Sequence, residues 1–558
     1  MRQRLMAGIA SIMALFGVAT ETIASNDGYK SQVWSPDNGD GTFTNPVINA
    51  DYSDPDVCVG ASGKDFYMTA SSFNCVPGLP ILHSNDLVNW EIVAYALTEL
   101  TPKETFDSAA HGMGVWAPSI RYHDGEYYIY WGDPDQGVFM VKTTDPEGEW
   151  EKPICVLEGK GIIDTTPLWD DDGRCYLVNG WAGSRAGFKS VLSVRELSAD
   201  GTKAISNPVI VFDGNNENRT AEGPKFYKYD GYYWIFCPAG GVPTGWQLAM
   251  RSKNVYGPYE HKVVMAQGDT DINGPHQGGW VRTSEGEDWF LHFQDKGCYG
   301  RVVHLNPITW TQGWPVMGED KNGDLCGEPV STYRKPNVGA TFPIVNPMES
   351  DEFDEPSLGK QWQWPANYKD EYGQPTPYGF FRLYTHKLSE GFVNLWEAPN
   401  LLLQKTPSDS FTATAKLRFA AKKPGQYAGI IMMGLDYSAL LVRREGDKFQ
   451  LLQATCLKAD KGKPETVSVL AELDPTDSDP IDYEPALYEE LYMRLSVKEG
   501  GKMTFSYSLN GKKFIPVGDE FQMKEGKWIG AKFGFVAEEP ASKGVRGFLD
   551  VDWIRVTK

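Results

Sequence analysis

Beyond its first two dozen residues the chain has almost no helical periodicity, no further long apolar run and no closely spaced cysteines. The first absence sets helical fold classes aside, because these need apolar residues recurring at the 3.6-residue period. The second leaves no membrane span, which takes about 20 consecutive apolar residues. The eight cysteines, at 58, 75, 155, 175, 237, 298, 326 and 456, form no C-x-x-C pair and no metal-type spacing. Buried free thiols are the default expectation, with disulfides open outside the cytoplasm. Positive charge is also scarce: 53 Lys and Arg against 74 Asp and Glu leave a net charge of −21. Such a surface repels phosphate backbones and anionic lipid, which argues against nucleic-acid and membrane partners.

The N-terminus is the exception to the missing apolar runs. Arg2 and Arg4 precede an apolar stretch from Leu5 to Ala19, and small residues such as Ala24 follow. The pattern predicts a signal peptide over residues 1–24 and a mature protein that is exported and soluble. No cysteine lies near the cleavage point to carry a lipid. The expected location is the periplasm, or else the extracellular space.

What the chain does have is aromatic residues, 13% in all, with 18 Trp and 27 Tyr. Strands use aromatics for packing, and flat rings also stack on the apolar faces of sugars. Short runs of Tyr, Trp, Phe, Val and Ile bounded by Gly, Asp and Pro recur throughout, so the expected fold is all-β.

Within the first half one pattern returns five times: a turn glycine, two residues, then an aromatic-aliphatic strand. The copies begin at Gly63, Gly125, Gly173, Gly231 and Gly286, spaced by 62, 48, 58 and 55 residues. A unit of about 50 residues with several antiparallel strands is a propeller blade. Five units predict a five-bladed β-propeller over residues 40–335. Nine residues before each glycine stand Asp54, Trp116, Asp164, Glu222 and Gln277. That slot lies near the start of the strand closest to the axis. Carboxylates crowded on one axis repel each other and lose solvation, so a structural role explains three of them poorly.

Glycosidic hydrolysis needs a carboxylic acid to protonate the leaving oxygen and a carboxylate across the ring to activate water or attack. A neighbouring negative charge helps the acid keep its proton. Three acids in register suit that task. Phe73 and Trp116 are candidate pocket walls.

The segments NPVINADYSDPDV, GVWAPSIRYHDGEYYIYWGDP, GIIDTTPLWDDDGRCYLVNG, AEGPKFYKYDGYYWIFCPAGG and GRVVHLNPITW resemble glycoside hydrolase family 43, in its order, across roughly Asn45 to Trp310. The resemblance implies a five-bladed propeller and an inverting mechanism. By its motifs Asp54 matches the general base, Asp164 the residue that orients the acid and tunes its pKa, and Glu222 the general acid. Arg301 matches an arginine reaching toward sugar hydroxyls or the acids. His276 stands where some members hold a calcium ion or water cluster on the axis, and is otherwise a structural histidine; no cofactor is required. Asp51 and Asp56 read as supporting or turn groups, and Asp170-Asp171-Asp172 as a solvated hairpin tip. The Asp-rich turns near Asp40 and Asp324 lack the distal glutamate of a calcium loop.

A Pro/Gly/Asn-rich stretch near 328–347 reads as a linker. Beyond it, residues 348–558 alternate apolar and polar, with an Asn-Gly turn at Asn510-Gly511, which predicts a jelly-roll β-sandwich. It resembles the C-terminal sandwich found in part of the family, and the short linker predicts rigid packing on the propeller.

The expected activity is exo-acting release of terminal non-reducing α-L-arabinofuranosyl units from plant hemicellulose side chains or oligosaccharides. The alternative is β-D-xylosidase action on xylo-oligosaccharides, and the YSDPDV and SRAGFKSVL segments lean toward arabinofuranose. A non-catalytic sugar-binding propeller and a five-bladed fructosidase are the rivals from other classes.

Overall fold

The computed structural model describes residues 28–474, 487–540 and 544–558. The signal peptide expected over residues 1–24 lies outside them. Among the described residues no helix is long and apolar enough to cross a membrane.

Five four-stranded antiparallel sheets follow one another along the chain, each paired in sequence order. Their innermost strands are Asp56–Val59, Trp116–His123, Ile162–Trp169, Lys225–Tyr229 and His276–Arg282. The five turn glycines all join a blade's first strand to its second. Each has φ between 69° and 87°, a conformation that costs a side-chain-bearing residue steric energy. This is why the repeat is visible in the sequence at all.

The ring closes where blade five meets blade one. Ile48 exchanges backbone hydrogen bonds with Val303. The buried Asn45 side chain donates to the carbonyls of Leu305 and Val330 and accepts from the Leu305 amide. One side chain thus satisfies backbone groups that closure would leave unpaired.

The C-terminal half is a sandwich of two seven-stranded sheets. In Phe411–Ala420 the residues Phe411, Ala413, Ala415, Leu417 and Phe419 are buried while Thr412, Thr414, Lys416 and Arg418 between them are half-buried. That two-residue period turns one face of the strand into the core. The Asn510-Gly511 step lies in the connection between Lys502–Ser508 and Ile515–Gln522, where Asn510 Oδ1 accepts from the amides of Lys512 and Lys513.

The two halves are packed together through backbone as well as side chains. Val76 and Trp364 form a bridge, Asn74 donates to the Pro365 carbonyl, and the Ala531 amide donates to the Cys298 carbonyl. The Tyr299 hydroxyl meets the carbonyls of Asp409 and Lys498. All eight cysteines are free thiols.

Candidate active site

Every blade enters its innermost strand through a residue in the left-handed backbone region. These are Asp54 (φ 55°), Ala117 (34°), Asp164 (57°), Gly223 (62°) and Gln277 (29°). For the four that are not glycine the conformation costs about 1–3 kcal/mol each and needs surrounding structure to hold it. Strand pairing slips at Trp116/Ser119, Ile163/Thr166 and His276/Gly278. Such bulges re-aim side chains. Here the five slot residues Asp54, Trp116, Asp164, Glu222 and Gln277 all line one pocket of about 140 Å³.

Asp54 is held from two sides. Its Oδ2 accepts from the hydroxyls of Ser53 (2.7 Å) and Ser71 (2.6 Å), and its Oδ1 lies 3.5 Å from Arg301 Nη1. The Ser71 hydroxyl in turn accepts from the Ala117 amide, tying blade one to blade two. Arg301 also donates to Ser53 Oγ, and its own amide is received by Asp51 Oδ1. Asp51 therefore fixes the arginine's backbone. Asp56 is wholly buried in an ion pair with Arg121 at 2.6 Å and accepts the Ile120 amide. Both flanking acids are structural partners.

Asp164 accepts the Gly223 amide at 2.8 Å, so blade three grips the backbone beside Glu222. Burial raises the pKa of Glu222 from its usual 4.5 to about 8, with Asp164 and then Asp54 adding repulsion. Asp164 is raised for the same reasons, burial first and Asp54 second. Both shifts run upward. The site can therefore hold a proton on a carboxyl group near neutral pH.

His276 Nε2 lies 3.6 Å from Glu222 Oε1, too long for a hydrogen bond. Burial pushes its pKa down to about 3, which keeps the ring neutral. Its two ring nitrogens and Gln277 Oε1 are buried without a protein hydrogen-bond partner. Among the described residues no three His, Cys, Asp or Glu side chains converge as a metal site.

Phe73 and Trp116 both line the pocket, 6.2 Å apart and edge to face. A third ring completes the wall: Trp528, from the sandwich, stands 6.0 Å from Trp116. Trp528 is 46% exposed and has φ 66°, rare for a bulky residue. Beyond it a second space of about 320 Å³ opens between the propeller and the sandwich. Arg185, from the SRAGFKSVL segment, lies over the Trp116 ring, 5.7 Å from its centroid, and pairs with Asp135.

Sequence reasoning did not find Trp528, Ser71 or the Gly223 amide. Trp528 sits in an ordinary loop of the other domain, and the amide carries no side-chain signal. The slot count had already reached Gln277. The Asp-rich hairpin differs from its solvated reading: Asp171 and Asp172 are exposed, but Asp170 is largely buried and pairs with Lys228 of the next blade.

The model for glycosyl hydrolases family 43 matches residues 43–315, and that for the beta xylosidase C-terminal concanavalin A-like domain matches residues 350–557. A Xylanibacter ruminicola protein is 32% identical over 89% of this chain and 86% of its own. A beta-xylosidase of Formosa agariphila is 31% identical over 93% and 90%. A non-reducing end alpha-L-arabinofuranosidase of Bacteroides ovatus is 29% identical over 74% and 78%. Among solved structures, a family 43 protein of Bacillus licheniformis superposes with a TM-score of 0.74 at 26% identity, covering 92% of this chain and 99% of that one. Fold and comparisons together define a glycoside hydrolase. The chain belongs to glycosyl hydrolases family 43.

Proposed function

We propose that this protein is an exo-acting, inverting glycosidase that removes terminal non-reducing β-D-xylosyl units from xylo-oligosaccharides. The observation that carries the reading is the meeting of three acids from three blades in one pocket. At about 140 Å³ it is sized for roughly one sugar ring, which suits removal of end units.

In this reading Glu222 is the general acid and gives its proton to the leaving glycosidic oxygen. Asp54 is the general base: it takes a proton from the water that attacks the anomeric carbon from the opposite face. Asp164 orients the acid through the Gly223 amide and adds the negative charge that keeps Glu222 protonated. The reacting groups are two carboxyls and a water, with Asp164 as positioning residue. Phe73, Trp116 and Trp528 offer faces for the sugar ring. Arg301 and Gln277, which line the same pocket, meet its hydroxyls in this reading.

The YSDPDV and SRAGFKSVL segments lean toward arabinofuranose, whereas the relative named beta-xylosidase aligns over 93% of the chain, against 74% for the arabinofuranosidase. That broader likeness puts xylose first. A second reading, release of α-L-arabinofuranosyl units, is favoured by the Bacteroides ovatus relative.

Aryl β-D-xyloside and aryl α-L-arabinofuranoside assayed side by side, with sucrose as a third arm, separate the readings. The proposal expects the highest kcat/KM on the xyloside and no fructose from sucrose. A higher value on the arabinofuranoside would move the assignment to the second reading, and turnover of none would remove both.

A further inference from the structure

Where the sandwich meets blade one, two reactive side chains from different domains touch. Cys75 sits in the loop between Phe66–Thr69 and Gly78–Ser84, and Lys532 opens the sandwich strand Lys532–Glu539. Both are buried, at 5% and 4% exposure. Lys532 Nζ donates to Cys75 Sγ at 3.0 Å and to Gln363 Oε1 at 2.9 Å. Gln363 is itself pinned by donating its amide to the Pro77 carbonyl. Neither acceptor of Lys532 is a carboxylate, so the usual partner of a buried lysine is replaced by a thiol. A small cavity of about 20 Å³ opens beside the pair, lined also by His111 and Trp396. It has room for about one molecule of water or dioxygen size.

We propose that Lys532 and Cys75 form an oxidisable pair that dioxygen closes into a covalent Nζ–O–Sγ bridge between the sandwich and the propeller. In the balanced step the neutral amine loses one hydrogen, the thiol loses its hydrogen, and the O–O bond breaks. One oxygen atom becomes the bridge, forming one N–O and one O–S bond. The other leaves as water with the two hydrogens. Nitrogen and sulfur each give up two electrons, and dioxygen takes all four. Cysteine chemistry of this kind depends on the neighbour the sulfur has and on access for the oxidant. The neighbour is Lys532, and the small cavity beside the buried pair is where dioxygen would meet it. Lys532 follows Trp528 by four residues, so the bridge would anchor the end of the loop that carries the third aromatic wall.

The test is peptide mass spectrometry of the full-length protein, held in dioxygen-saturated or anaerobic buffer and digested without reductant. The expected result is a linked pair of peptides containing Cys75 and Lys532, heavier than their sum by about 14 Da, one oxygen gained and two hydrogens lost. It should be confined to the dioxygen arm and lost with dithiothreitol. It should be missing from Cys75→Ser and Lys532→Arg, with aryl glycoside turnover unchanged in the variants. A linked pair lighter by two hydrogens would mean a direct N–S bond and overturn the proposal. So would full alkylation of Cys75 by iodoacetamide after denaturation of the dioxygen-treated wild type, a readout that needs neither variant to fold.

Discussion

Asp164 accepts the amide of Gly223 at 2.8 Å, so the carboxylate of one blade holds the backbone on which the next blade presents Glu222. The contact joins two roles. In the proposed mechanism it orients Glu222, and the charge of Asp164 adds to the burial that raises the Glu222 pKa.

The first prediction follows from that charge. In the proposed mechanism Glu222 works as an acid only while protonated, and its pKa is raised, so activity should fall as pH rises through about 8. Asp164→Asn removes one of the charges that raise it. The alkaline limb of kcat/KM should then move to lower pH, with kcat down about 10²-fold. A pH profile of wild type and variant checks the direction, and an unmoved limb would deny Asp164 its tuning role.

Trp528 belongs to the sandwich yet lines the propeller's pocket, from a strained left-handed backbone position. Trp528→Gly removes the ring and relieves the strain. An aromatic contact is worth about 0.5–1.5 kcal/mol, so KM should rise about two- to tenfold with little change in kcat. The unfolding temperature should not fall. Steady-state kinetics and a thermal scan read both.

Asp56 lies two residues from Asp54 but serves the fold. Asp56→Ala would leave Arg121 without its 2.6 Å partner in a buried setting, at a cost of about 3 kcal/mol. Denaturant unfolding should show the loss. An unchanged midpoint would mean that Arg121 finds another partner.

Much of this was legible because turns and blades are local. The turn glycines must carry positive φ, so they recur at fixed places and give the nine-residue count that selects Asp54, Asp164 and Glu222. The left-handed backbone at the blade heads was not legible, since nothing local in the sequence marks Asp54, Asp164 and Gln277 for positive φ. Nor was the third wall: Trp528 reaches the pocket only through packing of the sandwich on the propeller.

The stereochemical prediction is independent of residue roles. Proton NMR during early hydrolysis of an aryl β-D-xyloside should show α-xylose first, as inversion requires. Initial β-xylose would mean a retaining route through a covalent intermediate.

The most direct test of the account is Glu222→Gln assayed on xylobiose, where the leaving group needs a proton. The account predicts that kcat/KM falls by at least about 10²–10⁴-fold, while calorimetry still shows xylobiose binding and the protein stays folded. Turnover equal to wild type would contradict it, because Glu222 would then not be the acid that the three converging carboxyls are arranged to serve.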